Sequence, residues 1–194
     1  MSFQKILSNQ HRKGFFFART FEKQMLAIHS DGCTRASIFA INFLSIYLFM
    51  EKYIKQLEVR WADLDPNFHV LHSRYYDFGA YSRMSFLMEN ALTPAWMAEN
   101  HIGMIAFREE AVFKKEILFG DKVTVHLQLL QLNKEVSRWT LLHHLYKNED
   151  VLAAIITIDG AWLDTRLRKL AAAPDRLKEI FLQAPKAENF AWLD

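Results

Sequence analysis

The chain has 194 residues, 51% of them apolar and 14% aromatic, and a formal net charge of +2. That length and apolar share bury one sizeable core, and basic residues scattered along the chain rather than gathered into a stripe exclude nucleic acid as an expected partner. A single cysteine, Cys33, excludes an internal disulfide framework and a cysteine-rich zinc site, and fits a reducing, cytoplasmic setting.

The first fifty residues differ from the rest. Lys5, Arg12, Lys13, Arg19, Lys23 and Arg35 recur without a period, and Ala36 to Met50 then carries no charge. That run falls short of the roughly 20 apolar residues of a spanning helix and is diluted by Ser37, Asn42 and Ser45, so no stable membrane anchor is expected. No small-residue cleavage site follows before Glu51. The fresh pattern beginning at Met50 predicts a native start near that residue, with 1–49 as a non-domain leader upstream of it. A signal anchor and an amphipathic or disordered extension are the alternatives.

From Met50 the chain is patterned. Lys52 to Trp61 alternates through Tyr53, Ile54, Leu57 and Val59 as a strand, and Asp63-Leu64-Asp65-Pro66-Asn67 breaks it with turn formers. A helix is predicted over Arg74 to Asn90 with Ser73 as N-cap, because Tyr76, Ala80, Met84, Leu87, Met88 and Ala91 recur at steps of three and four. Phe78 and Phe86 widen that face until the helix is buried on most sides. Thr93 and Pro94 open a short second helix as N-cap and first helical residue. Four strands follow, over Ala106 to Leu118, the alternating run from Val123 to Leu129, Val136 to Tyr146, and Val151 to Leu163. Turns at Phe119-Gly120-Asp121, Asn133-Lys134-Glu135 and Lys147 to Asp150 separate them. Tight turns imply an antiparallel meander, and the broad helix must be wrapped by it, so the class is α+β with a domain over 50–165. A terminal helix over Pro174 to Gln183 and a tail with Phe190 and Trp192, docked on the body or on a partner, complete 166–194.

A strand thus delivers two carboxylates, Asp63 and Asp65, to a turn that leads into a helix start. The stretch Arg60-Trp61-Ala62-Asp63-Leu64-Asp65-Pro66-Asn67-Phe68-His69-Val70, followed by Ser73-Arg74-Tyr75 and Arg83, resembles the hotdog-fold acyl-CoA thioesterases of the 4-hydroxybenzoyl-CoA thioesterase type, and Phe119-Gly120-Asp121 before an alternating strand is similar to that family too. The likeness covers about Met50 to Leu163. It implies a single hotdog domain, an enzyme that hydrolyses an acyl-CoA to free acid and CoA, no cofactor or metal, and a homodimer or homotetramer. An acyl-carrier-protein thioesterase and a non-catalytic acyl-CoA binding protein are the alternatives. Position by position, Asp65 matches the carboxylate that serves as nucleophile or as the base activating water. His72 falls where relatives have a catalytic histidine or use a backbone amide on the carbonyl oxygen. Tyr75 matches a residue that shapes the pocket, and Tyr76 and His69 complete the expected substrate-binding set. The chain departs from the family pattern at Phe68, where glycine is common, at Leu71-His72, and at Ala80, where some members carry an acid.

The residues support that chemistry independently. Unpaired amides at a helix start carry about half a positive charge, where an oxyanion binds, and one such donor is worth roughly 100- to 1,000-fold in rate. A thiolate leaves readily, so one carboxylate and one helix terminus suffice. Each residue also has a structural alternative: Asp65 before Pro66 is a frequent turn former, Asp63 reads mainly as structural, and a lone His69 is a common partly buried residue. Asp63, Asp65, His69 and His72 are types that hold divalent ions, but a turn separates the carboxylates from the histidines. His143 and His144 point to opposite faces of one strand. Arg83 is expected on the helix surface or in a dimer ion pair, with a substrate phosphate as the alternative. A Gly-x-Ser-x-Gly elbow and a phosphate-cradling glycine loop are absent from the sequence.

Overall fold

The structure is a computed structural model that describes residues 53–194. The readings placed on residues 1–49, including Cys33 and the uncharged run, lie outside the described residues. β1 (Tyr53–Leu57) leads through a 3-10 turn (Trp61–Asp63) to the long helix α1 (His72–Glu89) and the short α2 (Pro94–Glu99). Then come β2 (Ile102–Phe113), β3 (Val123–Asn133), β4 (Arg138–Lys147), β5 (Val151–Asp164), the two-residue β6 (Lys169–Leu170), α3 (Asp175–Gln183) and β7 (Lys186–Leu193). The strands form one sheet in the order β1-β3-β4-β5-β2, antiparallel throughout that path, with β6 on β5 and β7 parallel on β3.

Period-two alternation sets the inward face. On β3 it presents Val123, Val125, Leu127 and Leu129, on β4 Trp139, Leu141, His143 and Leu145, and on β5 Ala154, Ile156, Ile158 and Trp162, all buried. Against it lie two apolar clusters: one around Phe86, Leu87, Trp139, Trp162 and Phe181, the other around Val59, Val70, Tyr75, Phe78, Ile117 and Ile156. α3 closes the first, with Phe181 edge-on to Trp162 at 5.1 Å between ring centroids. Trp139 lies flat across β5 because residue 160 is glycine; a Cβ there would come within 2.2 Å of its ring.

Four features differ from the sequence expectation. α1 starts at His72, with Leu71 rather than Ser73 as N-cap, because the Leu71 amide is held 2.8 Å from the Asp63 carbonyl and Arg74 already closes the first turn onto Leu71. Its buried residues are Tyr75, Phe78, Gly79, Ser82, Arg83, Phe86 and Leu87, a face rotated from the one the apolar spacing predicts, and Met88 is exposed. Arg83 is therefore not on the helix surface: it is buried and pairs with Glu109 of β2 at 2.9 Å, with Gly79 leaving room for the guanidinium. Finally, β2 begins at Ile102 and ends at Phe113. The tail takes the first of its two expected places, on the body, and does so as β7, Leu132 lying opposite Trp192.

The polar interior has an acid-sensitive member. His143 is fully buried between Leu127 and Ile156 in the register, and neither ring nitrogen makes a well-formed hydrogen bond to a described group. Burial, then the nearby Arg83 charge, lowers its pKa from 6.5 to about 3 against a smaller opposing influence of the Ile156 backbone. The unfolded chain therefore binds this proton first, so the stability it contributes is complete above about pH 6.5 and is lost as the pH falls toward 3. Thermal melts of the native protein should fall between pH 6.5 and 4.5, above the carboxylate range, whereas His143→Leu should flatten that part of the profile.

Candidate active site

The segment between β1 and α1 is built around a buried carboxylate. Asp63 accepts hydrogen bonds from the Arg60 amide at 2.9 Å, Arg60 Nε at 3.1 Å and Arg60 Nη2 at 2.7 Å, while Arg74 Nε lies 3.6 Å away. These donors, the Arg60 side chain foremost, hold its carboxyl below the usual range although burial opposes them. The chain then doubles back: the Asp65 amide donates to the His69 carbonyl at 2.8 Å and Leu64 bridges Val70. The returning limb is stitched to the segment after β2 by Val70 N to Ile117 O at 2.8 Å and by a His69–Leu118 bridge. That outer segment is held by the Phe119-Gly120-Asp121 turn, in which Asp121 accepts from the Leu118 amide and Gly120 takes φ +90°.

Asp65 sits at the tip of this loop. Its Oδ1 accepts from the amides of Asn67 at 2.8 Å and His69 at 3.2 Å, the turn-forming habit of an aspartate before proline. Among the described residues its Oδ2 carries no hydrogen bond. Phe68 lies between those two donors at φ +64°, a left-handed conformation that costs a residue with a Cβ about 1–2 kcal/mol.

One cleft of about 340 Å³ opens here, lined by Asp65, His69, Val70, His72, Tyr75, Phe113 and the Lys114-Lys115-Glu116 run. His72 is the first residue of α1 and is exposed; no side chain caps the helix and no acid occupies its first turn, so the first-turn amides have no side-chain acceptor. Tyr75, one turn on, is buried against Phe113 at 5.0 Å between centroids, and burial raises its phenol pKa. Of the five residues singled out in the sequence, Asp65, His69, His72 and Tyr75 share this cleft. Tyr76 does not line it; it is half-buried against the cluster of Val59, Val70 and Phe78. The sequence reading missed Phe113 to Glu116, having run one strand through to Leu118. The three consecutive charges at 114–116 mark the end of β2, where the amides of Lys114 and Lys115 both turn onto the Ala153 carbonyl. No cluster able to hold a metal ion occurs among the described residues, and no helix among them is long and apolar enough to cross a membrane.

The profile of the Thioesterase-like superfamily matches residues 59–181, from the end of the first strand segment into α3. The chain belongs to this superfamily. The long-chain acyl-CoA thioesterase FadM of Escherichia coli K12 is 28% identical over 132 residues, covering 68% of this chain and 98% of that protein. A thioesterase from Thermus thermophilus, solved with coenzyme A and zinc, is 25% identical with a TM-score of 0.56, covering 66% of this chain and 90% of that one. A 1,4-dihydroxy-2-naphthoyl-CoA thioesterase from Synechocystis shares the fold at a TM-score of 0.61 and 16% identity, over 68% and 96% of the two chains. The α+β architecture expected from the sequence is thus that of the hotdog thioesterases, and the chain is an enzyme of that class. In this thioesterase the Asp63 clamp fixes both the loop and the helix start. Asp63→Asn, which leaves Arg60 and Arg74 facing a neutral amide, should cost about 1–3 kcal/mol, read as a lower urea midpoint with an unchanged slope.

Proposed function

We propose that the chain hydrolyses acyl-CoA thioesters, with the reaction centred on Asp65. The observation that carries this reading is the pairing, in one cleft, of a carboxylate held by two loop amides with a helix start that no side chain caps. The names of the E. coli relative and of the Thermus thermophilus structure, which holds coenzyme A, support the substrate class. With Oδ1 anchored, Oδ2 meets either the thioester carbonyl carbon, as nucleophile, or the proton of an attacking water, as base. The carbonyl oxygen becomes the oxyanion and is held by the amide at His72, where the helix field favours negative charge. The carbon–sulfur bond breaks and the electron pair leaves on sulfur. Water supplies the acid's hydroxyl and the thiol's proton, so no cofactor enters the balance. Tyr75 bounds the acyl side and His69 the side toward the loop.

The assembly belongs to the same reading. β2 has one free edge among the described residues, which supports pairing of this edge with a second copy; Phe107, at the bulge between Ala106 and Arg108, lies instead under the Arg138 guanidinium of β4, 5.6 Å from its ring centroid. An acyl-carrier protein in place of CoA is the second substrate reading, since both carry the same thiol arm.

Release of free thiol from a panel of acyl-CoAs tests the chemistry. Asp65→Asn should lower kcat by about 100- to 10,000-fold with the fold retained. His72→Ala keeps the backbone amide and should lower kcat no more than about tenfold; a loss as deep as that of Asp65→Asn would place the imidazole itself in the reaction.

A further inference from the structure

Three large aromatic side chains stand exposed beside the cleft: Trp61 at 66%, Phe68 at 63% and Phe119 at 59% of full exposure. They form a chain of ring contacts, with Trp61 centred 6.2 Å from Phe68 and 6.0 Å from Phe119. This is not a loose surface. Phe68 is locked in its left-handed conformation by the turn whose amides grip Asp65, and Phe119 sits in the turn that anchors Leu118 to His69. The platform is therefore rigidly referenced to the candidate carboxylate. The cleft carries Lys114 and Lys115, and Phe119 lines a second hollow of about 500 Å³ together with Lys122, Glu58 and Asp121. Asp121 is occupied by Lys147 and Asn148, which leaves Lys122 as the cation of that hollow.

We infer that Trp61, Phe68 and Phe119 form a binding platform for the phosphopantetheine arm of the thioester substrate. The inference rests on the thioesterase reading and extends it to the leaving group. A thioester carbonyl at Asp65 with its acyl group toward Tyr75 and Phe113 must send its thiol arm out of the cleft. Phe68 directly precedes His69 of the cleft, and Phe119 follows Leu118, which bridges His69. The arm has the matching chemistry: flat amides and methylenes that lie on aromatic faces, ending in phosphate that lysines attract. A left-handed phenylalanine, where the family pattern commonly has glycine, keeps an exposed ring at this spot against the local backbone preference.

The test compares acyl-CoA, acyl-pantetheine and acyl-N-acetylcysteamine thioesters on the native protein, Phe68→Gly and Trp61→Ala. Glycine suits the backbone at 68, so Phe68→Gly should fold at least as well as the native chain. KM for the first two substrates should rise about three- to tenfold in each variant, the loss of one aromatic contact, while KM for the truncated thioester moves less than about twofold. Calorimetry with desulfo-CoA gives a readout free of turnover: native binding weakened by the same factor in the variants supports the platform. Holo-acyl-carrier protein run beside CoA separates the two carriers, and selective weakening of either supports the inference. Equal KM for all substrates in native and variant proteins overturns it, as does an equal loss on the truncated thioester, which would assign Phe68 to positioning Asp65. A change of sedimentation in Phe68→Gly, marking a contact between copies, overturns it too. Native protein that binds desulfo-CoA yet hydrolyses no thioester would overturn the hydrolase reading and leave the platform standing.

Discussion

The candidate site is held together by a buried carboxylate. Asp63 is fully buried and charged, a state that costs several kcal/mol unless the charge is paired and hydrogen-bonded. Three donors from Arg60 and the charge of Arg74 meet that condition, and the same residue's carbonyl takes the Leu71 amide. One residue thus ties the end of the first strand segment, the Asp65 loop and the start of α1 together. α1 has no side-chain cap, so this backbone tie and the bond from the Arg74 amide to the Leu71 carbonyl set its start.

Behind the site, α1 is unusual in what it buries. Ser82 and Arg83 face the sheet where leucines would pack, and across from them lie Glu109 and His143. Gly79 makes room for the guanidinium, Glu109 reaches it from the edge strand, and His143 stays neutral because burial and Arg83 both oppose its charge, whereas the buried Ser82 hydroxyl has no hydrogen-bond partner among the described residues. The apolar clusters on either side supply the area that offsets this polar seam. The seam begins about two turns along α1 from Tyr75, so the buried face of the helix is aromatic near the cleft, at Tyr75 and Phe78, and ionic in its middle.

Much of this was legible in the sequence where one physical rule dominates. The alternation of β3 survives because one face is buried and the other is not, and the carboxylate turn follows from Asp and Pro chemistry that tertiary contacts do not override. Asp65, His69, His72 and Tyr75 are legible together because they sit close along one short stretch of chain. The rest required partners distant in sequence. Arg83 reads as a surface residue until Glu109 is beside it, and Leu71 is an improbable N-cap until Asp63 holds its amide. β7 has no clean alternation, and its strand character comes from parallel pairing with β3 across more than fifty residues. Tyr76 shares its helix turn with Tyr75 but points into packing, a rotation that spacing alone does not fix.

Several departures from local preference meet near the candidate site, although left-handed non-glycine residues also occur at Ala91, His101, Val136, Asn148, Glu149 and Arg168. A phenylalanine in left-handed conformation, a helix start without a capping side chain, an aspartate whose two oxygens are unequally satisfied and exposed aromatic rings all fall between Trp61 and Tyr75 or in the turn that touches them. Elsewhere the chain places apolar side chains on inward faces and glycine where a ring needs space. Replacing Phe68 by glycine would relieve the backbone strain, and placing Asp or Ser at residue 71 would cap the helix; the chain has neither. A cap would also occupy the first-turn amides of α1, so its absence leaves them without a side-chain acceptor at the cleft that Asp65 and His72 line.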